Sequence, residues 1–181
     1  MHIAKGEKVD IMYTAEHIAL RVKEVAAQIS RDYAGKAVTL LGTLKGGVYF
    51  MADLSREIQD VEVEIDFIRA SSYGDGTATS GVVTIGYYPD TDMSNRHIIL
   101  IEDIIDSGLT AKRLRTQLLE YKPASVKICA LLDKPERRQV EGVEADYLGF
   151  TIPDAFVVGY GLDYAQRYRN LPFVGVLKFE E

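Results

Sequence analysis

Apolar stretches of strand type alternate with amphipathic stretches of helical type along most of this chain. Apolar positions recur at helical spacing from Ile18 to Ile29, and Thr14 is placed to cap that helix. The short apolar runs Ala37–Leu41 and Val126–Leu132 are typical of buried strands. The alternation indicates an α/β fold, with a mostly parallel central sheet flanked by helices.

The clearest pattern in the chain lies between Ile98 and Thr110. Four apolar residues lead to the adjacent acids Glu102 and Asp103, then two isoleucines, then Asp-Ser-Gly-Leu-Thr, after which a helical pattern begins. We interpret this segment as a central strand, His97 to Asp103, that brings acids to the carboxyl edge of the sheet. A turn with Gly108 follows and begins a helix from Leu109 to Tyr121.

The residue types of this turn suit a phosphate monoester. Glycine lets the backbone bend tightly and approach a ligand closely, and the free N–H groups at a helix start favour an anion. Carboxylates suit ribose hydroxyls or Mg²⁺ instead. Ser, Thr and Asp are also ordinary helix caps, so the turn alone equally fits a plain strand–turn–helix unit. Two adjacent acids at the end of an apolar strand favour the ligand site, because unpaired acids near a core are costly.

Two lysines follow other predicted strands. Lys45 lies in the glycine-rich segment Gly42–Gly47, where a turn rich in backbone N–H groups would receive an anion such as diphosphate, although the spacing of a Walker A loop is absent. Lys134 follows the strand Val126–Leu132, at the edge where open α/β sheets keep their ligands. The alternative for both side chains is an ordinary solvated loop lysine.

Two further segments depart from the strand–helix alternation. The residues of the segment Ala70–Gly81 are small, polar and rich in glycine, and they predict either a disordered tip between two strands or a flexible lid loop over the site. Near the C-terminus, Tyr147–Phe150, Phe156–Val158 and Phe173–Leu177 are short strand-like pieces that we assign to a small hood. The expected organisation is therefore one domain over residues 1–181. Its core spans about residues 10–140, and its hood consists of about residues 141–181 together with N-terminal residues.

Composition narrows the classes of function. The formal net charge of −6 argues against a protein that binds the nucleic-acid backbone, although basic residues at Lys134–Arg138, Arg167 and Arg169 leave room for a local anion site. No segment is long and apolar enough to span a bilayer, and the N-terminus lacks a signal-peptide core. The single cysteine, Cys129, excludes an internal disulfide and predicts a reduced core residue in a cytoplasmic protein.

The string from Ile98 to Thr110 resembles, position by position, the signature of the type I phosphoribosyltransferases, which use 5-phosphoribosyl-1-diphosphate (PRPP). The string Leu44–Gly47 is similar to the diphosphate-binding loop of the purine phosphoribosyltransferases, and the strings Ser72–Tyr73 and Ile152–Tyr164 are similar to those of the hypoxanthine-guanine branch. The short N-terminus resembles that of the bacterial-type enzymes. The resemblance implies an Mg²⁺-dependent transfer of the phosphoribosyl group to N9 of hypoxanthine or guanine. The products would be IMP or GMP and diphosphate, as in purine salvage.

The resemblance also implies the site residues. Asp106 would be the catalytic base. The residues that bind PRPP through its ribose and 5′-phosphate would be Glu102, Asp103, Asp106, Ser107, Gly108, Leu109 and Thr110. Those that bind diphosphate would be Leu44, Lys45, Gly46 and Arg169, and those that bind the purine would be Lys134, Phe156, Val157 and Asp163. Ser72 and Tyr73 would belong to the lid, and Mg²⁺ would be held by Glu102, Asp103 and Asp163.

Several alternatives stay open at this point. A regulator that senses PRPP would reuse the fold, but such proteins tend to lose the acid at Asp106 or carry a basic face. A sister transferase would use xanthine, adenine or orotate, and a plain nucleotide-binding protein would lack turnover. For Phe156 the composition favours core packing, whereas the resemblance favours stacking on a purine. Family members are homodimers or homotetramers, and they also often have a cis peptide before the lysine of the diphosphate loop.

Overall fold

The computed structural model describes residues 3–72, 83–87 and 91–179. The strands are β1 Glu7–Tyr13, β2 Ala37–Leu44, β3 Glu62–Ser72, β4 Val83–Tyr87, β5 His97–Ile105, β6 Ser125–Asp133, β7 Tyr147–Thr151, β8 Val157–Val158 and β9 Val174–Phe179. The helices are α1 Ala15–Asp32, α2 Val48–Glu57 and α3 Leu109–Glu120, and a single 3-10 turn covers Pro135–Arg137.

The main sheet has six strands in the order β4-β3-β2-β5-β6-β7. Among the described residues, neighbouring strands run parallel from β3 through β2, β5 and β6 to β7, whereas β4 pairs with β3 in antiparallel fashion. The expected mostly parallel sheet flanked by helices is therefore confirmed. Because the carboxyl ends of parallel strands share one edge, the loops that follow β2, β5 and β6 meet there.

The helices form where the apolar spacing predicts them. Thr14 caps α1, since its hydroxyl oxygen accepts a hydrogen bond from the backbone N–H of His17 at 3.3 Å. The buried face of α1 consists of Ile18, Val22, Val25, Ala26 and Ile29. In α3 the side chains of Leu114 and Leu118 are buried as expected. These faces cover the two sides of a sheet whose central strand β5 is almost wholly buried from Ile98 to Glu102.

Strand β5 is longer than the sequence pattern indicates. It continues past Asp103 because Ile104 and Ile105 still pair with Leu132 and Asp133 of β6. Glu102 and Asp103 therefore lie within the last part of a paired strand rather than in the loop after it. Since neighbouring residues of a strand point to opposite faces, the two acids enter different environments.

A second sheet joins the two ends of the chain. Strands β1, β9 and β8 pair in antiparallel fashion, and Val158, Tyr168, Leu171, Phe173 and Leu177 form a small apolar cluster there. The assignment of Tyr147–Phe150 to this hood is wrong, because β7 pairs with β6 as the edge strand of the main sheet. The connection from β6 to β7 contains a 3-10 turn instead of a helix, so the strand–helix pattern is interrupted.

Part of the predicted lid lies outside the described residues. Ser72 is the last residue of β3 and pairs with Val83 of β4, whereas Tyr73 and the residues up to 82 are not among those described. Cys129 has a free thiol and is buried in β6. No helix within the described ranges is long and apolar enough to cross a membrane.

Candidate active site

Three loops and one hood segment meet at the carboxyl edge of the main sheet. The backbone N–H of Lys134, after β6, donates to the carbonyl of Ile105 at 3.0 Å, which joins that loop to the end of β5. A Cβ placed on Gly46, after β2, would lie 1.5 Å from Oδ2 of Asp103. A Cβ placed on Gly161 of the hood would lie 2.0 Å from the carbonyl oxygen of Gly46. Glycine at both positions therefore allows the loops to approach this closely.

The buried acid Glu102 is the most unusual group of this edge. Its side chain is 4 % exposed, and its Oε1 has no hydrogen-bond partner among the described residues. Burial, and secondly the charge of Asp103, raise the pKa of Glu102 to about 8. A buried carboxylate oxygen without a partner is costly, so this site is suited to a cation or to ligand hydroxyls.

Asp103 lies beside Glu102 and against the loop after β2. Burial raises the pKa of Asp103 too, while the backbone N–H of Ile104 and the guanidinium of Arg169 oppose the increase. The hydrogen bond from the N–H of Ile104 to Oδ1 of Asp103 measures 3.0 Å. The carboxylate is thus oriented by its own strand and faces the loop that carries Gly46.

The three predicted metal ligands are not gathered into one cage. Within the described ranges, no group of three or more His, Cys, Asp or Glu side chains has the geometry of a metal site. Asp163 instead pairs with Arg169, at 2.5 Å between Oδ1 and Nη2. Mg²⁺ usually keeps several waters and takes only one or two protein carboxylates together with substrate oxygens, so a cage of three carboxylates is not required for its binding.

The turn after β5 has the features of an anion site. Gly108 has φ +81°, a conformation that favours glycine, and as the N-cap residue of α3 it offers no side chain to the first N–H groups of that helix. The first N–H groups of a helix without a side-chain cap are available to a ligand. The hydroxyl oxygen of Ser107 accepts from the N–H of Leu109 at a long 3.4 Å, and Thr110 lies in the first turn of α3.

Two arginines of the basic cluster after β6 contact this turn. Arg138 donates from Nη1 to the carbonyl oxygen of Asp106 at 2.9 Å and forms an ion pair with Asp133. Arg137 places its Nε 3.3 Å from Oδ1 of Asp106, and its Nη1 lies 3.7 Å from Asp154. The sequence predicted no role for either arginine in this turn. Their position along the chain could have indicated this role, because the cluster follows β6, and β6 lies beside β5 in the sheet.

The predicted diphosphate residues converge from two elements. The Leu44–Lys45 peptide is cis, and the exposed Lys45 donates from Nζ to Oε1 of Gln166 at 3.1 Å. Arg169 donates from Nη1 to the carbonyl oxygen of Gly161 at 2.6 Å, while its buried Nε has no partner among the described residues. Two cations therefore lie around the Gly46 backbone. No sequence signal pointed to Gln166.

The predicted purine residues lie on the hood side of the edge. Lys134 is 7 % exposed and its Nζ lies 3.9 Å from Oδ1 of Asp154, so the interpretation as a solvated lysine is wrong. Phe156 is 53 % exposed, which excludes core packing for its ring. Val157 is buried in β8 and pairs with Val176. A buried amine beside Asp154 and an exposed aromatic ring close to Asp154 along the chain suit a flat, polar-edged ligand.

Comparison with known proteins places this arrangement in context. Residues 8–165 match the family described as the phosphoribosyl transferase domain. A hypoxanthine-guanine phosphoribosyltransferase of Streptococcus pneumoniae R6 is 52 % identical over 170 residues, 94 % of this chain and 93 % of the relative. One of Bacillus subtilis 168 is 50 % identical over 169 residues, 93 % of this chain and 92 % of the relative.

Solved structures give the same result. A crystal structure of a hypoxanthine-guanine phosphoribosyltransferase from Bacillus anthracis, with a HEPES molecule in its active site, aligns with a TM-score of 0.88 at 44 % identity. The alignment covers 95 % of this chain and 99 % of that chain. The fold similarity therefore extends over the core and the hood alike.

Proposed function

The chain belongs to the phosphoribosyltransferase family, and from that membership we propose that its site transfers the 5-phosphoribosyl group of PRPP to N9 of hypoxanthine or guanine. The products are IMP or GMP and diphosphate, so the chain is a hypoxanthine-guanine phosphoribosyltransferase of purine salvage. The observation that carries the proposal is the placement of the buried Glu102 and the partly buried Asp103 beside a helix start whose N-cap residue is a glycine, at the edge where Lys134 and Phe156 also lie. Relatives at 50–52 % identity carry the same enzyme name.

The two acids and the turn would bind different parts of PRPP. Glu102 and Asp103 would hold the ribose hydroxyls, directly or through Mg²⁺, and the unpartnered Oε1 of Glu102 supports this role. The 5′-phosphate would rest on the turn that follows, with donors from the backbone and hydroxyl groups of Asp106, Ser107, Gly108, Leu109 and Thr110. Arg138 supports the turn through its hydrogen bond to the carbonyl oxygen of Asp106.

The leaving diphosphate would meet the loop after β2 and the hood. Lys45 and Arg169 supply positive charge, and the backbone of Leu44 to Gly46 approaches without a side chain at Gly46. The buried Nε of Arg169, which lacks a protein partner in the described chain, supports a role in binding an anion. Asp163 would offer a carboxylate on the hood side to Mg²⁺, which offsets further charge of the diphosphate when it is bound.

The purine would lie between β6 and the hood. Lys134, held in a desolvated place near Asp154, would donate to the 6-oxo group, because a buried ammonium gains most from a strong acceptor. Phe156 would stack on the ring, and the backbone of Val157 and the side chain of Asp163 would contact its edge. A 6-oxo acceptor explains the choice of hypoxanthine or guanine over adenine, which carries an amino group at that position.

Asp106 would act as the general base. Its carboxylate is partly exposed at the edge and lies 3.3 Å from Nε of Arg137. It would accept the proton from N7 of the purine while N9 attacks C1 of the ribose, whose bond to diphosphate breaks. General base catalysis of this kind typically contributes about 10² to 10⁴ in rate.

The decisive experiment compares kcat/KM for hypoxanthine, guanine, xanthine, adenine and orotate with PRPP and Mg²⁺. We expect efficient turnover of hypoxanthine or guanine and poor turnover of adenine and orotate. Tight PRPP binding without turnover of any base would instead favour the PRPP-sensing regulator. Efficient turnover of adenine would contradict the role given to Lys134.

We further propose that the enzyme works in the cytoplasm as a homodimer or homotetramer, with small molecules rather than nucleic acid as its ligands. The buried free thiol of Cys129 supports the first point, and the net charge of −6 supports the last. Size-exclusion chromatography with light scattering measures the oligomeric state directly. A monomer at micromolar concentration would contradict the proposed assembly.

A further inference from the structure

The exposed ring of Phe156 contacts Tyr164, which in turn contacts Phe179, and the proposed reaction assigns no role to these two side chains. Its centroid lies 5.8 Å from that of Tyr164, and the two rings are nearly perpendicular, at 89°. Tyr164 in turn contacts Phe179, with centroids 5.5 Å apart. Tyr164 is partly buried against the apolar cluster of the hood. These rings therefore connect the predicted purine site with the hood core.

Tyr164 itself is held by a tight backbone turn and by Arg167, which forms an ion pair with Glu7. Its N–H and C=O exchange hydrogen bonds of 3.2 and 2.9 Å with Arg167, across Ala165 and Gln166, which both have positive φ, as in type I′ turns. The guanidinium of Arg167 lies 5.3 Å from the centre of the Tyr164 ring and 2.7 Å from Oε1 of Glu7. Strand β1 and the turn thus hold the ring of Tyr164 from two sides.

The ring of Phe156 needs such support. Its backbone is anchored, since its carbonyl oxygen accepts from the N–H of Leu177 at 2.9 Å, but 53 % of the residue is exposed. A side chain that samples several rotamers must lose that freedom when a ligand stacks on it. A perpendicular aromatic contact restricts the ring before the ligand arrives and leaves one face open.

We infer that Tyr164 is a positioning residue that orients the ring of Phe156 for stacking on the purine. The inference rests on the proposed function, in which Phe156 stacks on the base. Tyr164 acts on purine binding only through Phe156 and touches neither PRPP nor the reacting atoms. Its ring, rather than its hydroxyl group, carries the effect.

The test compares Tyr164→Leu, Tyr164→Phe, Phe156→Leu and the double variant by steady-state kinetics with hypoxanthine and PRPP. Loss of one perpendicular contact should raise KM for hypoxanthine about three- to tenfold in Tyr164→Leu, while kcat and KM for PRPP change less than about twofold. Tyr164→Phe should behave as wild type. In the Phe156→Leu background, Tyr164→Leu should have no further effect on KM for hypoxanthine.

Matched controls separate this role from a structural one. Tyr121→Leu replaces an exposed tyrosine at the end of α3, far along the chain from the hood, and should leave all constants unchanged. Circular dichroism and PRPP titration by calorimetry check the fold of each variant. If Tyr164→Leu fails to fold, Tyr164→Met, whose longer flexible side chain adapts better to the hood cluster, takes its place.

Four results would overturn the inference. They are an unchanged KM for hypoxanthine in Tyr164→Leu, equal increases in KM for both substrates, an equal effect of Tyr164→Phe, and additive effects in the double variant. Failure of the proposed function gives a different result, because wild-type protein would then fail to convert hypoxanthine or guanine at all. Activity in the wild type with additive variants rejects only the inference about Tyr164.

Discussion

The buried Glu102 should make the stability of the ligand-free protein fall as pH rises, and Glu102→Gln should abolish that part of the pH dependence. Burial and the neighbouring Asp103 raise the pKa of Glu102 from 4.5 to about 8 in the folded state. Between these values the unfolded chain has released the proton that the folded chain retains. The free energy of unfolding must therefore decrease with increasing pH in this window, and the contribution is absent only below pH 4.5.

The size of this effect follows from the two pKa values. The raised pKa lowers the free energy of unfolding by about 1 kcal/mol at about pH 5 and by about 4 kcal/mol at about pH 8. Across this range, the free energy of unfolding of the wild type should therefore fall by about 3 to 4 kcal/mol relative to that of Glu102→Gln. The glutamine keeps the shape of the side chain but cannot ionise. Since all other titrating groups are shared, the difference between the two proteins reports this carboxyl group together with its coupling to Asp103.

Urea unfolding at about pH 5, 6, 7 and 8 without Mg²⁺, followed by circular dichroism, measures this difference. Glu120→Gln, at an exposed position in the last turn of α3, serves as the matched control and should track wild type at every pH. A constant difference between wild type and Glu102→Gln over the whole pH range would refute the reasoning. It would mean that the carboxyl group ionises as readily in the folded protein as in the unfolded chain.

Three further variants test single roles in the site. Asp106→Asn should keep PRPP binding in calorimetry but lose about 10² to 10⁴ in kcat, and normal turnover would show that Asp106 is not the base. Lys134→Ala should weaken purine binding more than PRPP binding in calorimetric titrations, and equal losses for the two ligands would contradict its role at the 6-oxo group. Gly46→Ala places a Cβ 1.5 Å from Oδ2 of Asp103, so it should displace the proposed diphosphate loop. We expect the affinity for PRPP to fall by at least about tenfold. An unchanged Kd for PRPP would show that the loop is not part of the site.

The main sheet was largely predictable because its strands are strongly apolar. Strand β5 could be predicted from Ile98 to Ile101, since four consecutive apolar residues that end in a pair of acids are typical of a buried strand reaching a sheet edge. Its continuation through Ile104 and Ile105 could not be predicted, because pairing with β6 is a tertiary contact. The same reason applies to β7, whose short pattern does not reveal which sheet it joins.

The sequence indicated which residues belong to the candidate site, but it did not indicate their environments. The acids, the glycine turn and Lys45 could be found from local pattern and family resemblance. The burial of Lys134 and the exposure of Phe156 could not, because both depend on how the hood lies over the sheet. The usual behaviour of a loop lysine favoured a solvated Lys134, and composition favoured a buried ring for Phe156.

Contacts between distant segments could not be predicted from the sequence either. Gln166 meets Lys45 and Arg137 meets Asp106, yet neither pair shares a local pattern. The perpendicular contact of Tyr164 with Phe156 likewise depends on the turn at Ala165 and Gln166, whose residue types do not indicate positive φ.

The central claim is that a sugar 5′-phosphate binds to the turn after Asp106 while the acids Glu102 and Asp103 hold its ribose. A crystal structure of the protein with GMP tests this most directly. We predict phosphate oxygens within about 3 Å of the backbone N–H groups between Ser107 and Thr110, and ribose hydroxyls at the two acids. A nucleotide bound elsewhere, with the turn free of phosphate, would contradict the claim.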